Sequence, residues 1–116
     1  MEDLVAVVAD GMIEQAILGV LSRPRAVGIR NVRPTILKHR AHDPGCYHTS
    51  HELLSLYRRT HQYALVIFDF EWDGRPEGSA EDLERHVEAK LVRDWDDRAR
   101  CIVINPELEA WVWADW

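Results

Sequence analysis

Three apolar runs in this chain of 116 residues stop on acids: Leu4 to Ala9 before Asp10, Ala64 to Phe68 before Asp69 and Glu71, and Cys101 to Ile104 before Glu107. Carboxylates gathered in one place are hard oxygen donors of the kind Mg²⁺ or Mn²⁺ takes. An ion held by them can orient a water and neutralise charge that develops on a phosphate. Asp69 and Glu71 are two apart, so on an extended backbone they project to the same side and could grip one ion together. Asp73 or Glu14 could add a further oxygen. The competing reading is that acids follow strands for solubility alone.

Other residues compete for a chemical role. His39, His42, Cys46, His48 and His51 fall within thirteen residues, and imidazole with thiolate is an ordinary zinc set. Their intervals do not reproduce a paired finger or ribbon pattern, which favours a solvated connection with a capping role. An intermediate reading puts His42 or His48 near the acidic edge, where an imidazole could contact phosphate or shuttle a proton. Trp111 and Trp113 point to different faces of a helix, so one of them, joined by Trp116, could anchor a partner protein, or all three could cover the core. Trp72 could stack on a base or simply lid its loop. The chain has no glycine-rich phosphate loop and no nucleophile elbow, and the nearness of Cys46 to His48 in sequence does not make a catalytic pair.

Continuous apolar runs separated by helical stretches are the pattern of parallel strands covered on both faces. The chain expects strands at Leu4–Ala9, within Ala26–Lys38, at Tyr63–Phe70 and at Ala99–Ile104. Pro34 marks the second of these as irregular or an edge. Helices are expected at Met12–Leu21, where Ile13, Ile17, Leu18 and Leu21 are spaced three to four apart, and from Thr49 or Ser50 to about Thr60. Polar Arg40–Ser50, with its Pro44-Gly45 pair, reads as a loop. After a loop over Trp72–Gly78, Ser79 with Asp82 resembles a capping box for a helix that carries Leu83, Val87 and Leu91 to about Trp95. A last helix starts at Pro106 or Glu107. The order is β-α-β-α-β-α-β-α, an α/β layered sandwich with a mainly parallel four-stranded sheet and right-handed crossovers. Parallel strands end on one edge, so acids far apart in sequence could meet there, where open α/β sheets bind ligands.

Composition narrows the class. The length suits one domain spanning 1–116, and 47% hydrophobic residues is ordinary for a globular core. No span approaches the roughly 20 apolar residues of a membrane helix, and the N-terminus lacks a basic region followed by an apolar stretch and a cleavage site. Cys46 and Cys101 are too few for a disulfide framework. These features point to a cytoplasmic protein with no membrane partner. The net charge of −6 is uneven, with eight Lys/Arg against six Asp/Glu in residues 1–60 and six against fourteen in 61–116. Arg23, Arg25, Arg30, Arg33, Lys38 and Arg40 occur without one intervening acid and could neutralise phosphates beside an acidic metal site, or be no more than a solvated surface. The chain stops at Trp116 inside an apolar helical pattern, which a naturally longer protein or partnering tryptophans would explain.

Val7-Val8-Ala9-Asp10-Gly11-Met12-Ile13-Glu14, Asp69-Phe70-Glu71 after a strand, and Asn105-Pro106-Glu107-Leu108-Glu109-Ala110-Trp111 together resemble a Toprim-type domain over nearly the whole chain. The resemblance is to the compact versions in overcoming-lysogenization-defect nucleases and small bacterial phage-defence proteins. His42-Asp43-Pro44-Gly45-Cys46 and the closing Pro-Glu-Leu-Glu-Ala-Trp look most like a small Toprim-like component of methylation-associated anti-phage systems. The resemblance implies a Toprim-like three-layer sandwich with Mg²⁺ or Mn²⁺ as cofactor, with DNA and other defence proteins as partners, and with self-association of the chain left open. By position, Asp10 takes the place of a glutamate that serves acid/base chemistry or metal binding, Glu14 that of a second acid, and Asp69 with Glu71 that of the pair that holds Mg²⁺. Asp10 is one methylene shorter than that glutamate and Glu71 one longer than the usual aspartate. The implied catalytic set is Asp10, Glu14, Asp69 and Glu71, with Asp73 as a further oxygen. Arg25, Arg30, Arg33, Lys38 and Arg40 would bind phosphate, and Trp111, Trp113 and Trp116 would bind partners. Glu107 and Glu109 match an element with a structural or metal-supporting role.

Overall fold

In the computed structural model, which describes residues 2–21 and 34–105, four strands alternate with three helices. The order is β1 (Glu2–Val8), α1 (Gly11–Leu21), β2 (Pro34–Lys38), α2 (His42–Ser55), β3 (His61–Asp69), α3 (Ala80–Trp95) and β4 (Ala99–Ile104). Arg25, Arg30, Arg33, Glu107, Glu109 and the three C-terminal tryptophans, with the expected last helix, lie outside the described residues. No helix among the described residues is long and apolar enough to cross a membrane.

The sheet has the order β2-β1-β3-β4, and all three pairings are parallel. Its central strands carry the unbroken apolar runs because both faces are covered: Val5, Ala6, Val7 and Val8 in β1, and Val66 and Phe68 in β3, are fully buried. The connection from β1 to β2 steps one way and the later connections step back across β1. Right-handed crossovers therefore set α1 on one face and α2 with α3 on the other, an α/β sandwich of three layers compatible with a Toprim-like one. The contacts follow that division. α1 packs on β1 and β2, α2 on β1 and β3, and α3 on β4 and α2. Register puts Val5, Val7, Ala64, Val66, Phe68, Cys101 and Val103 on the α2/α3 face. There Phe68 meets Tyr47 of α2 edge to face at 6.3 Å between ring centroids.

The best-specified helix is α3. Ser79 accepts from the Asp82 amide and Asp82 accepts from the Ser79 amide, so two otherwise orphaned donors are satisfied, and Leu83, Val87, Leu91 and Trp95 form the buried stripe. It ends where Asp96 turns to a left-handed φ of 52°. The expected edge strand is β2, which starts on Pro34.

One expectation is corrected. The polar stretch Arg40–Ser50 is not a loop, because α2 begins at His42 and closes at Ser55, with turns from Leu56 to Thr60. Pro44 sits in the first turn, where its missing N–H breaks no intrahelical bond. Gly45 is buried where a β-carbon would overlap the His39 ring and the Ala41 methyl, so the glycine serves close packing rather than a turn. Thr49 is no cap: its Oγ1 donates to the Gly45 carbonyl inside the helix. No side chain caps the helix at Ala41, and the His39 ring steadies the entry by accepting the Ala41 amide at Nδ1, 3.0 Å away.

Candidate functional site at the carboxyl edge of the sheet

The chain order reverses direction between β1 and β3, which makes the crevice beyond their carboxyl ends the topological switch point where α/β sheets place ligands. Val8 pairs with Ile67 in register, so Asp10 and Asp69 each lie two positions further along adjacent strands at this edge. Asp10 is half-buried, and its Oδ1 accepts the Ile13 amide at 2.9 Å as the N-cap of α1. Asp69 is half-buried at the last position of β3.

The N-terminus of α2 is tied to both strand ends. Asp43 Oδ1 accepts the Asp69 backbone amide at 2.9 Å. His42 Nδ1 lies 3.0 Å from the Ala9 carbonyl oxygen, which can only accept, so Nδ1 carries a proton. His42 holds a left-handed φ of 57°, a conformation that costs a non-glycine residue about 1–3 kcal/mol and persists where surrounding contacts impose it. Burial pushes the Asp43 carboxyl above its ordinary value. The bond from the Asp69 amide opposes that rise, the Asp10 charge adds to it, and His42 works against it. Beneath them the buried Cys46 thiol is raised, first by burial and then by the charges of Asp43 and Asp10. The switch point therefore gathers Asp10, His42, Asp43 and Asp69.

The remaining expected residues face elsewhere. Glu14 lies 3.9 Å from Lys38 Nζ, on the β2 side. β3 closes at Asp69 and the backbone bends at Phe70, so the extended spacing that would align Asp69 with Glu71 does not continue. Glu71 is exposed and lies 4.0 Å from Arg75, whose guanidinium covers the Phe70 ring. Asp73 is exposed in the following turn, and Lys38 and Arg40 are exposed at the same sheet edge. Trp72 is half-buried against Tyr47, His48 and Phe68, where it closes the core under the loop.

The rival histidine constellation disperses. His39 Nε2 bonds Thr49 Oγ1 at 2.7 Å, His42 turns to Ala9, His48 lies over Tyr47, and Cys46 is buried. Among the described residues no group of three or more His, Cys, Asp or Glu side chains stands ready to hold a metal ion. The donor chemistry at the switch point is all hard oxygen apart from His42. Such a set fits Mg²⁺ in the mode where one or two carboxylates share the ion with waters and a substrate phosphate, and does not fit an all-protein cage. Sequence reasoning missed Asp43 because it precedes Pro44-Gly45 in a stretch read as loop. His42 lies at the acidic edge, where the intermediate reading of the histidines put His42 or His48.

No family model matches the chain, and neither the curated proteins nor the solved structures contain a match. The fold and the edge geometry define the class of protein, an α/β protein with an all-parallel sheet whose switch point is acidic.

Proposed function

We propose that the chain is a component of a bacterial anti-phage defence system, a Toprim-like nuclease or nuclease subunit that uses Mg²⁺ or Mn²⁺ to act on DNA phosphodiesters in the cytoplasm. The supporting observation is the bond from the Asp69 amide to Asp43 Oδ1, which draws the start of α2 onto the end of β3 beside Asp10. In this reading Asp10 and Asp69 offer oxygens to the ion. When bound, the ion supplies charge neutralisation and a more acidic water. Glu71 and Asp73 stand on the loop that follows, Glu14 steadies Lys38, and Lys38 and Arg40 meet backbone phosphates together with Arg25, Arg30 and Arg33. Purified protein with Mn²⁺ or Mg²⁺ should nick plasmid DNA, and Asp69→Ala should abolish nicking while leaving the circular dichroism spectrum unchanged. Equal inertness of the two proteins overturns the reading.

A second reading is favoured by the lack, among the described residues, of a three-donor group. It makes the chain a catalytically inactive Toprim-like module that binds other defence proteins through the segment bearing Trp111, Trp113 and Trp116. Calorimetry with Mg²⁺ separates the two, because a binding heat that Asp69→Ala removes belongs to the first and no heat belongs to the second.

A further inference from the structure

The outer edge of β4 is closed by two side chains of α3. Parallel pairing with β3 turns the carbonyls of Arg98 and Ile104 inward, where they accept from Ala64 and Phe70. The amides of Cys101 and Val103 therefore point away from the sheet, the arrangement that invites another strand. Neither amide is open. Glu88 Oε2 accepts from Cys101 at 3.0 Å and Glu84 Oε2 accepts from Val103 at 2.8 Å.

The fit is one of matched repeats. Outward amides recur every two strand residues, about 6.6 Å, and one helix face recurs every four residues, about 6 Å. Glutamates at 84 and 88 on a helix antiparallel to β4 thus meet amides at 103 and 101 in order. Both glutamates are half-buried and have the reach to pass around the strand. On the adjoining face of α3, about 100° round the helix, the apolar positions Leu83, Val87 and Leu91 seat it on the sheet. The opposite edge is blunted in another way, since β2 has five residues and opens on Pro34, which has no amide hydrogen.

We infer that Glu84 and Glu88 form an edge guard that occupies the outward Cys101 and Val103 amides of β4 and keeps the sheet from adding a strand of a second copy of this chain. The guard leaves association of the protein to surfaces other than this edge. It stands apart from the proposed chemistry, because neither glutamate touches the switch point.

The test uses the full chain in three forms: wild type, Glu84→Gln with Glu88→Gln, and Glu84→Ala with Glu88→Ala. Hydrogen exchange followed by NMR should show the Cys101 and Val103 amides protected in wild type and in the glutamine variant, which keeps a carbonyl acceptor. Exchange should be about tenfold faster in the alanine variant. Sedimentation velocity over a concentration series should show larger species for the alanine variant than for the other two. Unchanged exchange and sedimentation in a folded alanine variant overturn the inference. Should that variant not fold, wild type still decides, since amides 101 and 103 that exchange as fast as an unstructured peptide overturn it equally.

Discussion

His39 shows how one side chain can decide where an element begins. Its Nδ1 accepts the Ala41 amide while Nε2–H donates to Thr49 Oγ1, whose own O–H donates to the Gly45 carbonyl. The bond from the Ala41 amide needs the neutral ring, because only an unprotonated Nδ1 can accept. Burial lowers the pKa of His39 below the ordinary 6.5, and the neighbouring His42 lowers it further. The unfolded chain therefore takes up this proton at a higher pH than the folded one. The contribution is complete above pH 6.5 and is lost as pH falls from there through the lower folded value. Urea midpoints measured across that interval should fall more steeply for wild type than for His39→Asn, whose side chain does not titrate. Parallel profiles would show that the ring is not the titrating group. None of this was legible beforehand, because a histidine five residues before a Pro-Gly pair, in a polar stretch, has the composition of a loop. Only the packed position of Gly45 under the ring reveals it as a helix start.

At the scale of the element, α3 is the case where local rules suffice. Ser79 and Asp82 satisfy each other's backbone amides without help from the rest of the fold, and the apolar stripe has a helical period that a strand could not use. Ser79→Ala should cost about 1 kcal/mol of stability, read as a lower urea midpoint at unchanged slope. No change would mean that tertiary packing alone holds that turn. α2 is the contrary case. Its polar first turns carry little periodicity, and its start is imposed by contacts with β1, β2 and β3 through His42, His39 and Asp43. β1 and β3 were legible because a strand buried on both faces must be apolar throughout. Their neighbours at the edges show the weaker patterns, with Arg100 and Ile102 of β4 exposed.

At the scale of the whole molecule, one core lies between the sheet and α2 with α3, and it encloses both thiols. Cys46 and Cys101 are buried and unpaired. Burial raises both, with Glu84 and Glu88 adding to Cys101 and Asp43 and Asp10 to Cys46. A thiol so held is rarely the reactive thiolate. In native protein both should react with a disulfide reagent only as fast as the molecule opens, and both should react promptly in urea. Fast native reaction of Cys46 would show that the switch point opens down to it. Trp95 and Phe68 are fully buried in the same core, and burial of a phenylalanine side chain alone is worth about 1.5–3 kcal/mol by transfer.

By itself the amino-acid order determined the class of fold, because the periods of apolar residues, the capping box and the proline at the start of β2 act within a few residues of one another. It also named Asp10 and Asp69, since an acid that closes a buried run must emerge at a sheet edge. Which acids meet was decided only by the tertiary structure. That Asp43 joins them, that Glu14 turns to Lys38 and Glu71 to Arg75, and that Glu84 and Glu88 reach the amides of β4 depend on strand order and helix placement. Those are set by packing between segments distant along the chain, and no local spacing encodes a contact of that kind.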